Sequence, residues 1–237
     1  MSTDHFEGKS VPEHLKQARL KGALVAKEVH GRELSGAFAA GIDSAKETSL
    51  LLAVLALFIS PTWPLVLCLF AGWLVWKVGR SACLGWARLE RLHRMIEEER
   101  FEIEHHRDQE KQELTEMYAA KGFDGKMLDE IIETLMADDN RLLMVMLEEE
   151  LGIAIESYEH PLRQAIGAAV GVLIAFGLAG LGFWAFPLGV SLSAIGIFLV
   201  ASVWAAKRER NHRIKAAIWN LAVGLLAYGA AYFVHEL

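Results

Sequence analysis

Two stretches of this chain, Leu50 to Trp76 and Gln164 to Ala206, contain no Asp, Glu, Lys or Arg. Each exceeds the roughly 20 apolar residues needed to cross a hydrocarbon core of about 30 Å. In that medium a single segment satisfies its own backbone only as a helix. The hydrophobic fraction of 53% and mean hydropathy of +0.26 agree with the membrane class and exclude an ordinary soluble domain. The expected fold is an all-α integral membrane protein with five transmembrane helices, at about 36–60, 63–84, 164–185, 188–206 and 215–234. A polar helical segment separates the second span from the third. The expected division is 1–35, an amphipathic amino-terminal segment; 36–86, spans one and two; 87–160, an acidic helical domain; and 161–237, spans three to five.

The net charge of −6 matters less than its distribution. The span-connecting segments Ser60-Pro61-Thr62-Trp63-Pro64 and Trp184-Ala185-Phe186-Pro187 carry no charge, whereas Lys207, Arg208, Arg210, Arg213 and Lys215 crowd the loop between spans four and five. By the positive-inside rule this places the amino terminus and the acidic domain in the cytoplasm and the carboxyl terminus outside. The polar amino terminus does not read as a cleaved signal peptide. Cys68 and Cys83 sit too far apart on one helix to bridge, and their pattern matches no zinc motif. Ahead of the first span, Ser10-Val11-Pro12-Glu13 has the form of a capping box. With Leu15, Leu24, Val25 and Val29 after it, the segment reads either as an interfacial helix or as a partly ordered tail.

The first span contains Asp43, Lys46 and Glu47. Starting it at Thr48 to exclude them leaves only about 20 Å of helix, so these charges fall within or at the edge of the membrane. The partner span carries Lys77 and Arg80, and a turn near Pro61 brings acids and bases to matching depth. Two readings stay open: an ion-pair set of Asp43 with Arg80 and Glu47 with Lys77, or a cation pathway along Asp43 and Glu47 with Lys77 and Arg80 as gate or counter-charge.

Between Glu97 and Met117 stand nine acids and three bases, a surface that attracts cations. On a continuous helix Glu102, His106, Glu113 and Glu116 lie close to one face; a break near Arg107 instead folds the two halves together. Gly122-Phe123-Asp124-Gly125 reads as a turn, with Asp124 capping a second helix and Asp138-Asp139-Asn140 a third, giving a small helical bundle. Carboxylate, imidazole and thioether suit Fe(II), Mn(II), Zn(II) or Co(II) better than calcium or magnesium. The bland alternative is a solvated acidic face over core methionines.

Glu99-Arg100-Phe101-Glu102-Ile103-Glu104-His105-His106, Glu113-Leu114-Thr115-Glu116-Met117-Tyr118-Ala119-Ala120-Lys121-Gly122 and Met146-Leu147-Glu148-Glu149-Glu150-Leu151-Gly152-Ile153, in that order and spacing, resemble segments of the vacuolar iron transporter family. The match is strongest over 97–153 and topological elsewhere. The resemblance implies a homodimer in a lipid bilayer that exports cytoplasmic Fe(II) or Mn(II) by proton exchange. The host membrane would be a bacterial inner membrane or a vacuolar-type membrane. It implies metal-ligand roles for Glu102, Glu113, Glu116, Met146 and Glu150, with His105 in place of a family acid. Asp43 would line the pathway. Leu147 replaces a methionine, and Lys77, Gly79 and Arg80 stand where the family has small, acidic and methionine residues. A bare positive charge about 6 Å from a dication costs roughly 5 kcal/mol at an effective dielectric near 20. A membrane-anchored metal sensor or buffer and a structural membrane protein are the alternatives. No catalytic motif, organic cofactor or nucleic-acid-binding role is expected. Gly167-x-x-x-Gly171 is compatible with close helix contact.

Overall fold

Apolar helices that lack charge pack through whatever small residues they carry, and the arrangement of the membrane helices follows from that. The computed structural model describes residues 10–17, 36–59, 62–152 and 159–237. Every element among them is a helix: α1 (residues 11–17), α2 (Ala37–Phe58), α3 (Trp63–His105), α4 (Arg107–Ala120), α5 (Gly125–Met136), α6 (Asp139–Glu149), α7 (Pro161–Ala185), α8 (Gly189–Arg208) and α9 (Arg213–Glu236). Among the described residues four helices, α3, α7, α8 and α9, are long and apolar enough to cross a membrane. The first expected span is α2, whose 22 residues measure about 33 Å. Asp43, Lys46 and Glu47 set it apart from the other four. Contacts divide the chain into two units, one of residues 33–86 and 159–237, the other of 1–32 and 87–158.

In the first unit α2 packs along α7 and also meets α8 and α9. Apart from Ile42, its buried residues are small, Ser44, Ala45, Thr48, Ser49 and Ala53, and it packs along an α7 whose buried residues include Ala165, Ala168 and Ala175, with Ala45 clustered with Ala175. Gly167 and Gly171 let the two backbones touch: a Cβ on Gly167 would strike the carbonyl of Ala37, and one on Gly171 the carbonyl of Gly41. The glycine pair anticipated as a close-contact motif is therefore occupied by α2 of the same chain. The α7–α8 hairpin closes the same way, with Gly182 against Gly189 and the Ser193 hydroxyl donating to the Leu178 carbonyl at 3.0 Å. Large apolar side chains such as Trp63, Val75, Ile166, Leu181, Val200 and Leu226 are left facing outward, as lipid-facing positions are.

The second unit is built on the last turns of α3. The helix runs 43 residues without a break and stops at His106, whose φ of −127° and ψ of 32° leave the helical region. α4 then folds back, α5 follows the Gly122–Gly125 turn, where Gly122 takes a φ of 95°, and the Asp138 carboxylate caps α6 by accepting from the Arg141 amide at 2.8 Å. Asp124 sits at the α5 N-cap without a side-chain bond. The core is Leu92, Met95, Ile103, Leu114, Met117, Ile132, Leu142, Leu143, Met146 and Leu147. α1 begins at Val11 as the capping sequence suggests. Here, however, the Ser10 hydroxyl donates to the Glu13 carboxylate at 3.3 Å, while the Glu13 amide donates to the Ser10 carbonyl at 3.0 Å, in place of the reciprocal side-chain-to-amide bonds of a capping box. Val11 is buried and Leu15 packs on the core, so over 11–17 the expected interfacial helix spends its apolar side chains on protein. Leu24, Val25 and Val29 lie outside the described residues.

Gly171→Ala forces a Cβ into the Gly41 backbone, and overpacking of this kind costs about 1–3 kcal/mol. It is expected to lower the melting temperature of the detergent-solubilised protein. Gly177→Ala, where a Cβ meets nothing within 4 Å, is expected to leave it unchanged.

Candidate metal centre

The core stripes of α3, α4 and α6 each contain acids where apolar residues belong. On α3 the inward positions run Leu92, Met95, Glu99, Ile103; on α4, Glu110, Glu113, Leu114, Met117; on α6, Leu142, Met146, Leu147, with Glu150 one turn beyond Met146. The three- and four-residue spacing that points the leucines and methionines inward does the same for the glutamates. Glu99, Glu110, Glu113 and Glu150 are buried and Glu102 is half-buried.

Their donor atoms gather in two groups. Glu99, Glu102 and Glu110 form one, and Glu113, Glu150 and His14 of α1 form the other; within each, one donor atom from every residue lies within 4.8 Å of the others. Two ionised carboxylates at that separation repel by about 3 kcal/mol at an effective dielectric near 20. Burial, and then the charge of Glu99, push the Glu110 carboxyl up to about 10, with Glu113 and Glu102 adding to the effect. Glu150 is likewise pushed up to about 10, first by burial and then by Glu99, Glu113, Glu110 and Glu102. Since acids of one group raise the pKa of an acid in the other, the five glutamates form one electrostatic assembly. At neutral pH it carries protons or a cation. Oxygen donors with one imidazole are the donor set of first-row divalent ions such as Mn(II) and Fe(II).

Of the residues singled out from sequence, Glu102, Glu113 and Glu150 are in these groups. Glu116 is half-buried on α4 and belongs to neither. His105 is exposed, stacked on Phe101 with its Nδ1 2.9 Å from the Phe101 carbonyl. Met146 is fully buried in the apolar core, one turn before Glu150. Sequence reasoning passed over Glu99, Glu110 and His14. The break near Arg107 that the sequence admitted is present at His106, and the signal for the two glutamates was their place on stripes fixed by Met95, Ile103 and Leu114.

In the other unit the Lys77 ammonium meets the Glu47 carboxylate at 2.6 Å, and the Trp73 indole donates to the Thr48 hydroxyl at 2.8 Å, the depth-matching expected of an α2–α3 hairpin. Asp43 does not pair with Arg80. It lies 3.4 Å from Lys46, which also donates to the Asn220 side chain at 3.2 Å, while Arg80 is exposed. A partner one turn away on the same helix costs less to order than one on another helix.

A family model described as the VIT family matches residues 86–236, more than half of the chain. No curated protein matches the sequence.

The raised carboxyls fix a pH dependence. Each group's unfolded value is near 4.5 and its folded value about 10. The stability that comes from holding these protons is therefore fully present below about 4.5 and lost as the pH rises towards about 10. In chelator, hydrogen-exchange protection of α6 is expected to fall from pH 6 to pH 9, and less steeply in Glu110→Gln. Metal binding is expected to release protons, seen as acidification of a weakly buffered sample.

Proposed function

Because this chain belongs to the VIT family, the vacuolar iron transporters, we propose that it moves a divalent metal, Fe(II) or Mn(II), out of the cytoplasm in exchange for protons. The observation that carries this reading is the buried glutamate assembly, whose donors match such ions and whose acids give up protons when one binds. A transporter needs a capture site that loads and unloads. Carboxylates that alternate between proton and metal provide one, and no catalytic role is invoked for them.

In this reading residues 87–160 are a cytoplasmic domain between spans two and three, and the amino terminus lies on the same side. The basic loop around Arg208 and Arg213 keeps the α8–α9 turn inside, leaving the carboxyl terminus outside. α2 is the fifth span: it is about 33 Å long, and its Glu47 and Lys46 find partners on α3 and α9 that make their charge tolerable in a bilayer. Glu102, Glu113 and Glu150 capture and partly dehydrate the ion, with Glu99 and Glu110 completing the carboxylate set. Asp43 receives the ion in the membrane. Lys77, held by Glu47, meets a passing dication as half of a neutral pair, so the repulsion of a bare ammonium is largely cancelled. Two copies act together as a homodimer, as the family resemblance implies.

Proteoliposome flux tests the reading. Wild type is expected to carry Mn(II) or Fe(II) with opposite movement of protons, and Glu113→Ala and Asp43→Ala are each expected to lower the initial rate by about tenfold or more, a loss of the size seen when metal-site residues are altered. Metal binding without flux in wild type would contradict transport and leave a sensor or buffer.

A further inference from the structure

We propose that His14 on α1 is itself a ligand of the metal held by Glu113 and Glu150, so that the bound ion clamps the amino-terminal helix onto α4 and α6. The inference rests on the proposed binding of divalent metal by the glutamate assembly, and its own support is positional. Val11, His14 and Leu15 occupy one face of α1 at i, i+3 and i+4. Val11 is buried and Leu15 packs on the core, so the two apolar side chains seat the helix with the imidazole pointing at the acids. Nε2 of His14 lies 3.4 Å from Oε1 of Glu113 and 3.8 Å from Oε1 of Glu150, and its side chain is only 17% exposed. Three donors, from α1, from α4 and from the C-cap of α6, lie within 4.8 Å of one another, a spacing that an ion between them closes with little rearrangement.

The imidazole defines the class of ion. Magnesium and calcium take oxygen donors, whereas a nitrogen donor favours the first-row divalent metals, and more strongly along the order Mn(II), Fe(II), Co(II). His14 therefore acts as a specificity-determining ligand within a carboxylate site. It also cross-links a helix near the amino terminus to the acidic bundle whenever the site is filled.

The full-length protein in detergent, loaded with Mn(II), provides the test by electron spin-echo measurement of nitrogen coupling. Wild type is expected to show the modulation of one directly bound imidazole nitrogen, and His14→Gln to lose it with Mn(II) still bound. Co(II) affinity should fall about 10- to 100-fold in His14→Gln, Mn(II) affinity less, and Mg(II) affinity hardly at all. His14→Cys should restore Co(II) binding with a thiolate-to-cobalt charge-transfer band, which a hydrogen-bonding role for residue 14 would not produce. Bound Mn(II) without nitrogen coupling in wild type, coupling that persists in His14→Gln, or unchanged Co(II) affinity would overturn the assignment of His14 and leave the glutamate site standing. Failure of wild type to bind either Mn(II) or Co(II) would overturn both.

Discussion

The mutual repulsion of carboxylates kept out of water organises the helical unit between the membrane spans. Glu99, Glu110, Glu113 and Glu150 take places on core stripes that leucine or methionine would fill at a gain of about 1.5–3 kcal/mol each. Stability does not explain their presence, because burying acids beside one another opposes folding unless protons or a cation neutralise them. The apolar residues around them, Ile103, Leu114, Met117, Met146 and Leu147, form a rigid frame that holds the acids together despite that repulsion. A site built this way binds by relief of an unfavourable state, so its affinity is tied to pH and to the charge of whatever enters.

The membrane unit solves the opposite problem. Its helices have almost no polar groups with which to recognise one another, and Gly167, Gly171, Ala168 and Ala175 let α7 lie against α2 at backbone distance. That close seam fixes α2, the helix that carries Asp43, Lys46 and Glu47. Its Lys46 is compensated by Asp43 and Asn220, and its Glu47 pairs with Lys77 of α3. Lys77, which looks like an obstacle to a cation when read singly, is nearly neutral as a pair with Glu47.

The sequence made the class of fold legible because hydropathy and length decide it: the uncharged run from Gln164 to Ala206 becomes α7 and α8, and the absence of any breaker after span two becomes the 43-residue α3. The candidate site was legible in part. Glu102, Glu113 and Glu150 were reached through motif resemblance, whereas Glu99 and Glu110 come together through the helix break, admitted near Arg107 as one of two readings and found at His106. Such a break changes which side chains share a face, and no glycine or proline announces it. His14 was out of reach for a different reason. Its place beside Glu113 comes from docking α1 on a core nearly a hundred residues later in the chain, and local spacing carries no trace of that. Of the two ion pairs that hairpin depth offered as one reading, Glu47 with Lys77 forms, whereas Asp43 meets a base one turn away on its own helix in place of Arg80.

Anomalous diffraction from crystals of the full-length protein grown with Mn(II) tests the central claim most directly. The account predicts a manganese peak bounded by carboxylate oxygens of the assembly formed by Glu99, Glu102, Glu110, Glu113 and Glu150. Manganese confined to exposed acids such as Glu97, Glu98 and Glu104, with the buried glutamates empty of metal, would contradict it.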